Sequence, residues 1–239
     1  MGADASRLYL RPYFINLALL VKDAKKSYSI VINETNSINF IRNTHPKILS
    51  ETPNNDDELR VYDNTLNNHQ SMRRIALLSF ASTCGVISNI LWPHIDKSKY
   101  NKNNLGVTNL DRRKKERKEH LKNLFPESCF PHLKKHFRDF LMHSDEKMDE
   151  YSIRTKHPNI AFNTEYTLLG GNVTFWINIH PSTYVVSYYS KGGYESVDIR
   201  MMYLDILKLP SLIPKALDSI MCARIDWHYD MVRSIIEEE

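Results

Sequence analysis

Apolar positions along this chain fall mostly at helical spacing. From Asp4 to about Asn33, Leu8, Phe14, Ile15, Leu17, Leu19, Leu20, Ala24 and Tyr28 recur three and four residues apart. That spacing predicts a core-facing helix, with Pro12 at its start or at an early kink. The next stretch is rich in Asn and holds Pro46, Pro53 and the run Asn54-Asn55-Asp56-Asp57. It predicts a loop with short helical pieces. A long helix follows from about Glu58 to Leu91, its apolar period carried by Leu59, Tyr62, Leu66, Met72, Ile75, Leu78, Ala81, Val86 and Ile90. Pro93 stops it, because proline cannot continue the hydrogen-bond ladder.

Polar turn composition over Lys97 to Asn104 leads into the charged run from Asp111 to His120. With Leu110, Leu121, Leu124 and Phe125 around it, this run predicts a mainly exposed helix that ends at Pro126. Another helix is expected from near Pro131 past Tyr151, with proline tolerated in its first turn. Beyond it the texture changes to β-branched and aromatic runs at Val173 to Ile179, Tyr184 to Tyr189 and Tyr194 to Val197, separated by turn-forming residues. These predict a small antiparallel meander. Helix returns from about Ile199 to Lys208 and again from about Pro214 to the acidic end. The fold class is therefore mainly α: a helical bundle over residues 1–158, with a C-terminal β-meander and closing helices over 159–239 packed on it.

Composition narrows the picture. Of the 239 residues, 25% are charged and 42% hydrophobic, as in a globular chain able to bury a core. Ile75 to Trp92 is the longest nearly uncharged stretch, but its Ser, Thr and Asn residues and its length place it at the lower limit of a span of about 20 residues. A buried helix is expected there, and no membrane association. The N-terminus has no basic region followed by a compact apolar run, so the expected location is the cytoplasm. Three dispersed cysteines, Cys84, Cys129 and Cys222, make no disulfide framework and suit a reducing compartment. A formal net charge of +4 is modest; its clustering is more informative.

The chemistry-bearing feature is Arg138-Asp139-Phe140-Leu141-Met142-His143. On a wheel of about 100° per residue, Phe137, Phe140, Leu141, Ser144, Met148 and Tyr151 form one stripe, and Arg138 and His143 flank it roughly 140° apart. Asp139 and His143 are four apart, so the carboxylate can orient the imidazole and favour its charged form. Histidine moves protons near neutral pH, and the arginine fork matches phosphate oxygens. The structural alternative is a boundary histidine bonded to Asp139, with Arg138 covering an apolar edge.

This run resembles the Arg-polar-x-x-x-His signature of HEPN domains, helical bundles that include many metal-independent ribonucleases and toxins of bacterial defence systems. The stretch through Tyr151, together with Leu91-Trp92-Pro93 and the strands after Asn172, also resembles an uncharacterised bacterial group with a helical body, a β-hairpin and a closing helix. The resemblance implies a HEPN-like bundle, a homodimer with a composite cleft, and Arg138, Asp139 and His143 as catalytic residues of an endoribonuclease that uses no metal or cofactor. An antitoxin or another defence-system protein would be its partner. Arg113 with His120 makes a second Arg-to-His spacing, but Lys114 follows the arginine where the signature has a polar acceptor.

Arg112, Arg113, Lys114, Lys115, Arg117 and Lys118 are the candidate RNA-binding residues, since clustered cations give salt-dependent affinity for phosphates. The bland reading is a solvated face. His132 and His136 have a zinc-compatible spacing, but the intervening Lys134 and Lys135 oppose a cation. Gly170-Gly171 and Lys191-Gly192-Gly193 read as turns, and the strand aromatics read as packing. Beside the ribonuclease stands a second expectation, a non-catalytic helical protein that binds a partner or nucleic acid.

Overall fold

The computed structural model describes residues 10–51, 56–93, 109–133, 172–174, 177–179, 184–190, 193–218 and 227–237. Their order is α1 (Arg11–Glu51), α2 (Asp56–Leu91), α3 (Asn109–Leu124), a 3-10 turn (Glu127–Cys129), β1 (Asn172–Thr174), β2 (Ile177–Ile179), β3 (Val185–Ser190), β4 (Gly193–Asp198), α4 (Ile199–Ile206), α5 (Leu209–Asp218) and α6 (Trp227–Glu237). The protein is thus mainly helical with a small antiparallel sheet. It divides into two units: Met1–Ala24 with Thr83–Lys135 and Met201–Glu239, and Lys25–Ser82 with His136–Arg200.

Helix α1 is 41 residues long and absorbs much of the stretch expected to be loop. The reason lies in its buried stripe. Leu10, Phe14, Leu17, Val21, Ala24, Val31, Thr35 and Ile38 are buried, and with the half-buried Tyr28 they alternate steps of four and three without interruption past Asn33. That is the heptad-like seam of a helix packed along its length. Asn33, Asn36 and Asn43 are exposed, off the seam. Thr35 Oγ1 donates to the Val31 carbonyl at 2.7 Å and Thr44 Oγ1 to that of Phe40 at 2.6 Å, so hydroxyls that could compete with the helix bond back into it.

Helix α2 matches its expected limits but not its expected face. Gln70, Arg73, Leu77, Phe80, Cys84, Ile87 and Leu91 make the buried seam, again in steps of three and four. Met72, Ile75, Leu78 and Val86, read from the sequence as core, are exposed and lie with Val61 on one stripe about 120° wide. Both faces of α2 carry apolar residues at helical period, so hydrophobicity alone could not set the phase. Among the described residues α2 is also the one helix long and apolar enough to cross a membrane, and half of that window is buried in the protein. Within the second unit the two helices meet through Ser27 and Ser79, whose hydroxyls are 3.1 Å apart, through the Tyr28 and Phe80 rings at 5.6 Å, and through Glu34 and His69 at 2.6 Å.

The sheet has order β1-β2-β3-β4 with every neighbour antiparallel. The run expected as one strand over 173–179 is two, β1 and β2, with Thr174 opposite Ile177, so the chain reverses between them. A continuous β-branched and aromatic run carries no turn signal to reveal that reversal. Val186 and Val197 face each other across β3 and β4, and both are buried. Asp198 then starts α4: its Oδ1 accepts the backbone N–H of Arg200 at 2.9 Å, an N-cap bond, while the Arg200 guanidinium grips the same carboxylate and lies 5.3 Å over the Tyr184 ring.

The closing segment begins earlier than Pro214. Helix α5 starts at Leu209 and carries Pro214 inside it, because Leu209, Ile213, Ala216 and Leu217 form a buried stripe that spans the proline. Helix α6 packs on α5, with Val232 buried and Arg233 paired to Glu237 at 2.6 Å.

Candidate nucleic-acid interface

Helix α3 concentrates the charge of the chain. It carries seven cations and three acids, a net charge of +4, which equals the formal net charge of the entire protein. The remainder is electrically balanced, so α3 dominates the long-range attraction for a polyanion. The helix is anchored by Leu121 and, just past its end, Phe125, both fully buried; the Phe125 ring lies 6.3 Å from that of Phe14.

The cations of α3 do different things. Arg117 is half-buried with its guanidinium 4.5 Å over the Tyr13 ring, a cation–π contact within the first unit. Lys114 and Lys118 are also half-buried and Lys115 is exposed. Arg112 and Arg113 lie on the helix, and their side chains fall outside the described residues. Lys115, Lys118 and Lys122 fall within about 60° of one another on the wheel. Among the described residues no ion pair engages any of these three. Lys118 and Lys122 are four apart, a like-charge spacing that costs a helix a few tenths of a kcal/mol. Lys122 in the last turn faces the negative end of the helix dipole, which offsets part of that cost.

At this end of α3 the structure opens a cleft of about 620 Å³. It is lined by Lys118, Lys122 and Asn123 from α3, by Pro126, Glu127 and Ser128 from the turn after it, and by Trp92. Two matched sequence features build it. Each of α2 and α3 is followed by an aromatic residue and a proline, Trp92-Pro93 and Phe125-Pro126, and proline pushes the residue before it out of helical conformation. The Trp92 indole N–H then donates to the Phe125 carbonyl at 2.9 Å, satisfying an acceptor left over at the end of α3, and its ring packs 5.7 Å from Phe130. Trp92 is therefore fixed, with only 9% of its surface exposed.

A second basic feature was invisible in the sequence reading. Arg73 sits in the α2 seam at 2% exposure, and burial, with the Arg42 charge beside it, lowers its pKa to about 10. Burial also lowers that of Arg42, against an opposing effect of Tyr62. The seam phase is the signal that finds both: Arg73 continues Phe80 and Ile87 at seven-residue steps, and Arg42 continues Phe14, Val21, Tyr28 and Thr35 likewise.

The candidate catalytic residues Arg138, Asp139 and His143 lie outside the described residues, as does His136. Among the described residues no group of three or more His, Cys, Asp or Glu side chains could hold a metal ion. Cys129 is exposed, whereas Cys84 is buried, and burial, with a smaller push from Asp205, raises its pKa well above the ordinary thiol range. Comparison of the chain with family models, with curated proteins and with solved structures finds no match.

Proposed function

We propose that this protein is a HEPN-type, metal-independent endoribonuclease that works as a homodimer in a toxin or bacterial antiviral-defence role. The observation that carries the reading is the run Arg138-Asp139-Phe140-Leu141-Met142-His143, which begins fourteen residues beyond Leu124, the last residue of the basic helix. In the reaction the RNA 2′-hydroxyl attacks the adjacent phosphorus while His143 accepts its proton. The bond to the 5′-oxygen breaks, that oxygen takes up a proton, and the products are a 2′,3′-cyclic phosphate and a free 5′-hydroxyl. Arg138 stabilises the charge that develops on the phosphoryl oxygens, and Asp139 orients the imidazole. These groups supply acid–base and electrostatic catalysis without a metal. On a helical wheel Arg138 and His143 flank an apolar stripe, so a helix end, a distortion or a second copy has to bring the groups together, and the homodimer supplies the last of these.

A second reading is favoured by α3 alone, whose lysines carry charge with no acid partner among the described residues: an RNA-binding protein with no cleavage chemistry. One experiment separates the two. Wild type, Arg138→Ala and His143→Ala are incubated with single-stranded RNA in excess chelator. Loss of cleavage in both variants, with RNA affinity retained, supports the ribonuclease. Equal cleavage by all three, or RNA binding by wild type with no cleavage, rejects it.

A further inference from the structure

Resting on the reading of this chain as one that binds RNA, we infer that the cleft between the end of α3, the turn at Pro126–Ser128 and Trp92 seats a single nucleotide by its phosphate. Its volume, about 620 Å³, lies within the range of small-molecule sites and exceeds what a bare phosphate fills. Lys118 and Lys122 stand one helical turn apart on its wall, a spacing that lets two ammonium groups reach one phosphate. Neither has a competing carboxylate partner among the described residues.

The rest of the wall suits the remainder of a nucleotide. Trp92 and Pro126 present apolar surface to a base or sugar, and the indole cannot swing away while it bonds the Phe125 carbonyl. Asn123 offers both a donor and an acceptor to a base edge. The Glu127 carboxylate accepts only, so it selects ring N–H or amino groups and keeps the phosphate on the lysine side.

The shared chemistry is a nucleoside monophosphate, either free or as one unit of a strand. The test uses the full chain carrying His143→Ala, so that RNA stays intact, with adenosine 5′-monophosphate and a short single-stranded RNA as probes in calorimetric titration. Lys118→Ala/Lys122→Ala is compared with Lys114→Ala/Lys115→Ala, which removes the same charge from the same helix outside the cleft; alanine preserves helix propensity in both. The seat predicts that the cleft pair loses at least about tenfold more RNA affinity than the control pair. It also predicts that the monophosphate competes with RNA in the control but not in the cleft variant, and that Asn123→Ala weakens the monophosphate without altering charge. Equal losses in the two pairs overturn the seat and leave RNA binding standing. A monophosphate that neither binds nor competes also overturns it. A protein that binds the monophosphate through Lys118 and Lys122 but binds no RNA upholds the seat for a free nucleotide and overturns the RNA reading.

Discussion

The Lys208 ammonium lies 2.6 Å from the Asp205 carboxylate, which is 1% exposed, and 2.7 Å from the Cys129 carbonyl. The other carboxylate oxygen accepts the His132 backbone N–H at 2.7 Å, and Lys208 also lies 5.8 Å from the centre of the Phe130 ring. One buried acid and one half-exposed base thus fasten the turn after α3 to the junction of α4 and α5. That turn lines the cleft through Pro126, Glu127 and Ser128.

From this clasp comes an asymmetry in mutational cost. Lys208→Met leaves a carboxylate buried with a single donor, whereas Asp205→Asn keeps an acceptor for the His132 N–H and releases Lys208 to solvent. Removing one partner of a buried pair costs about 3–5 kcal/mol, and the partial exposure of Lys208 reduces this to roughly 2–3 kcal/mol. Asp205→Asn costs about 1–2 kcal/mol. Urea unfolding of the three proteins measures the order. A Lys208→Met variant as stable as wild type would show that the pair does not hold the turn.

Cys84 gives the molecule a pH dependence of known sign. Its native thiol keeps its proton above the ordinary range because burial opposes the thiolate, whereas the unfolded chain loses that proton from about pH 9. The native state then binds more protons than the unfolded state, so stability falls as pH rises through and above that point, by at most about 1.4 kcal/mol per pH unit from this one group. Lysines and tyrosines titrate there too, so the prediction is a difference. Urea unfolding from pH 8 to pH 10.5 should show a steeper decline for wild type than for Cys84→Ala. In the native protein a thiol alkylating agent should label Cys129 and spare Cys84 until unfolding. Parallel pH profiles for wild type and Cys84→Ala would remove the buried thiol from the account.

How much of this was legible in the sequence depended on whether a residue could be read locally. The ends of α2 and α3 were legible because proline acts on the residue beside it. Helix α3 was legible as a charged helix, but the partition of its cations was not: that Arg117 stacks on Tyr13 while Lys118 and Lys122 line a cleft depends on residues far away in the chain. The phase of α2 was lost because two faces carry apolar residues, and the choice between them is made by partners distant in the chain, such as Tyr28 against Phe80. The continuation of α1 past Asn33 was hidden by asparagines that read as loop, although Val31, Thr35 and Ile38 kept the seam. Arg73 and Asp205 were missed for a shared reason. A charged residue on an apolar period is discounted, yet the period itself was the evidence of burial.

If Lys115, Lys118 and Lys122 contact RNA phosphates, their contribution is visible in the salt dependence of binding. Each phosphate neutralised on a single strand adds about 0.7 to the slope of log K against log salt, through release of counterions. Replacing all three lysines with alanine should therefore flatten that slope by roughly two, while leaving the helix intact because alanine favours it. Arg117→Ala should behave differently. Its guanidinium is engaged with Tyr13, so the expected effect is loss of stability with little change in slope. Fluorescence anisotropy of a labelled RNA across a salt series reads both. An unchanged slope in the triple variant would show that the charge of α3 is only a solvated face, and a large slope change in Arg117→Ala would show that its stacking leaves the charge free for phosphate.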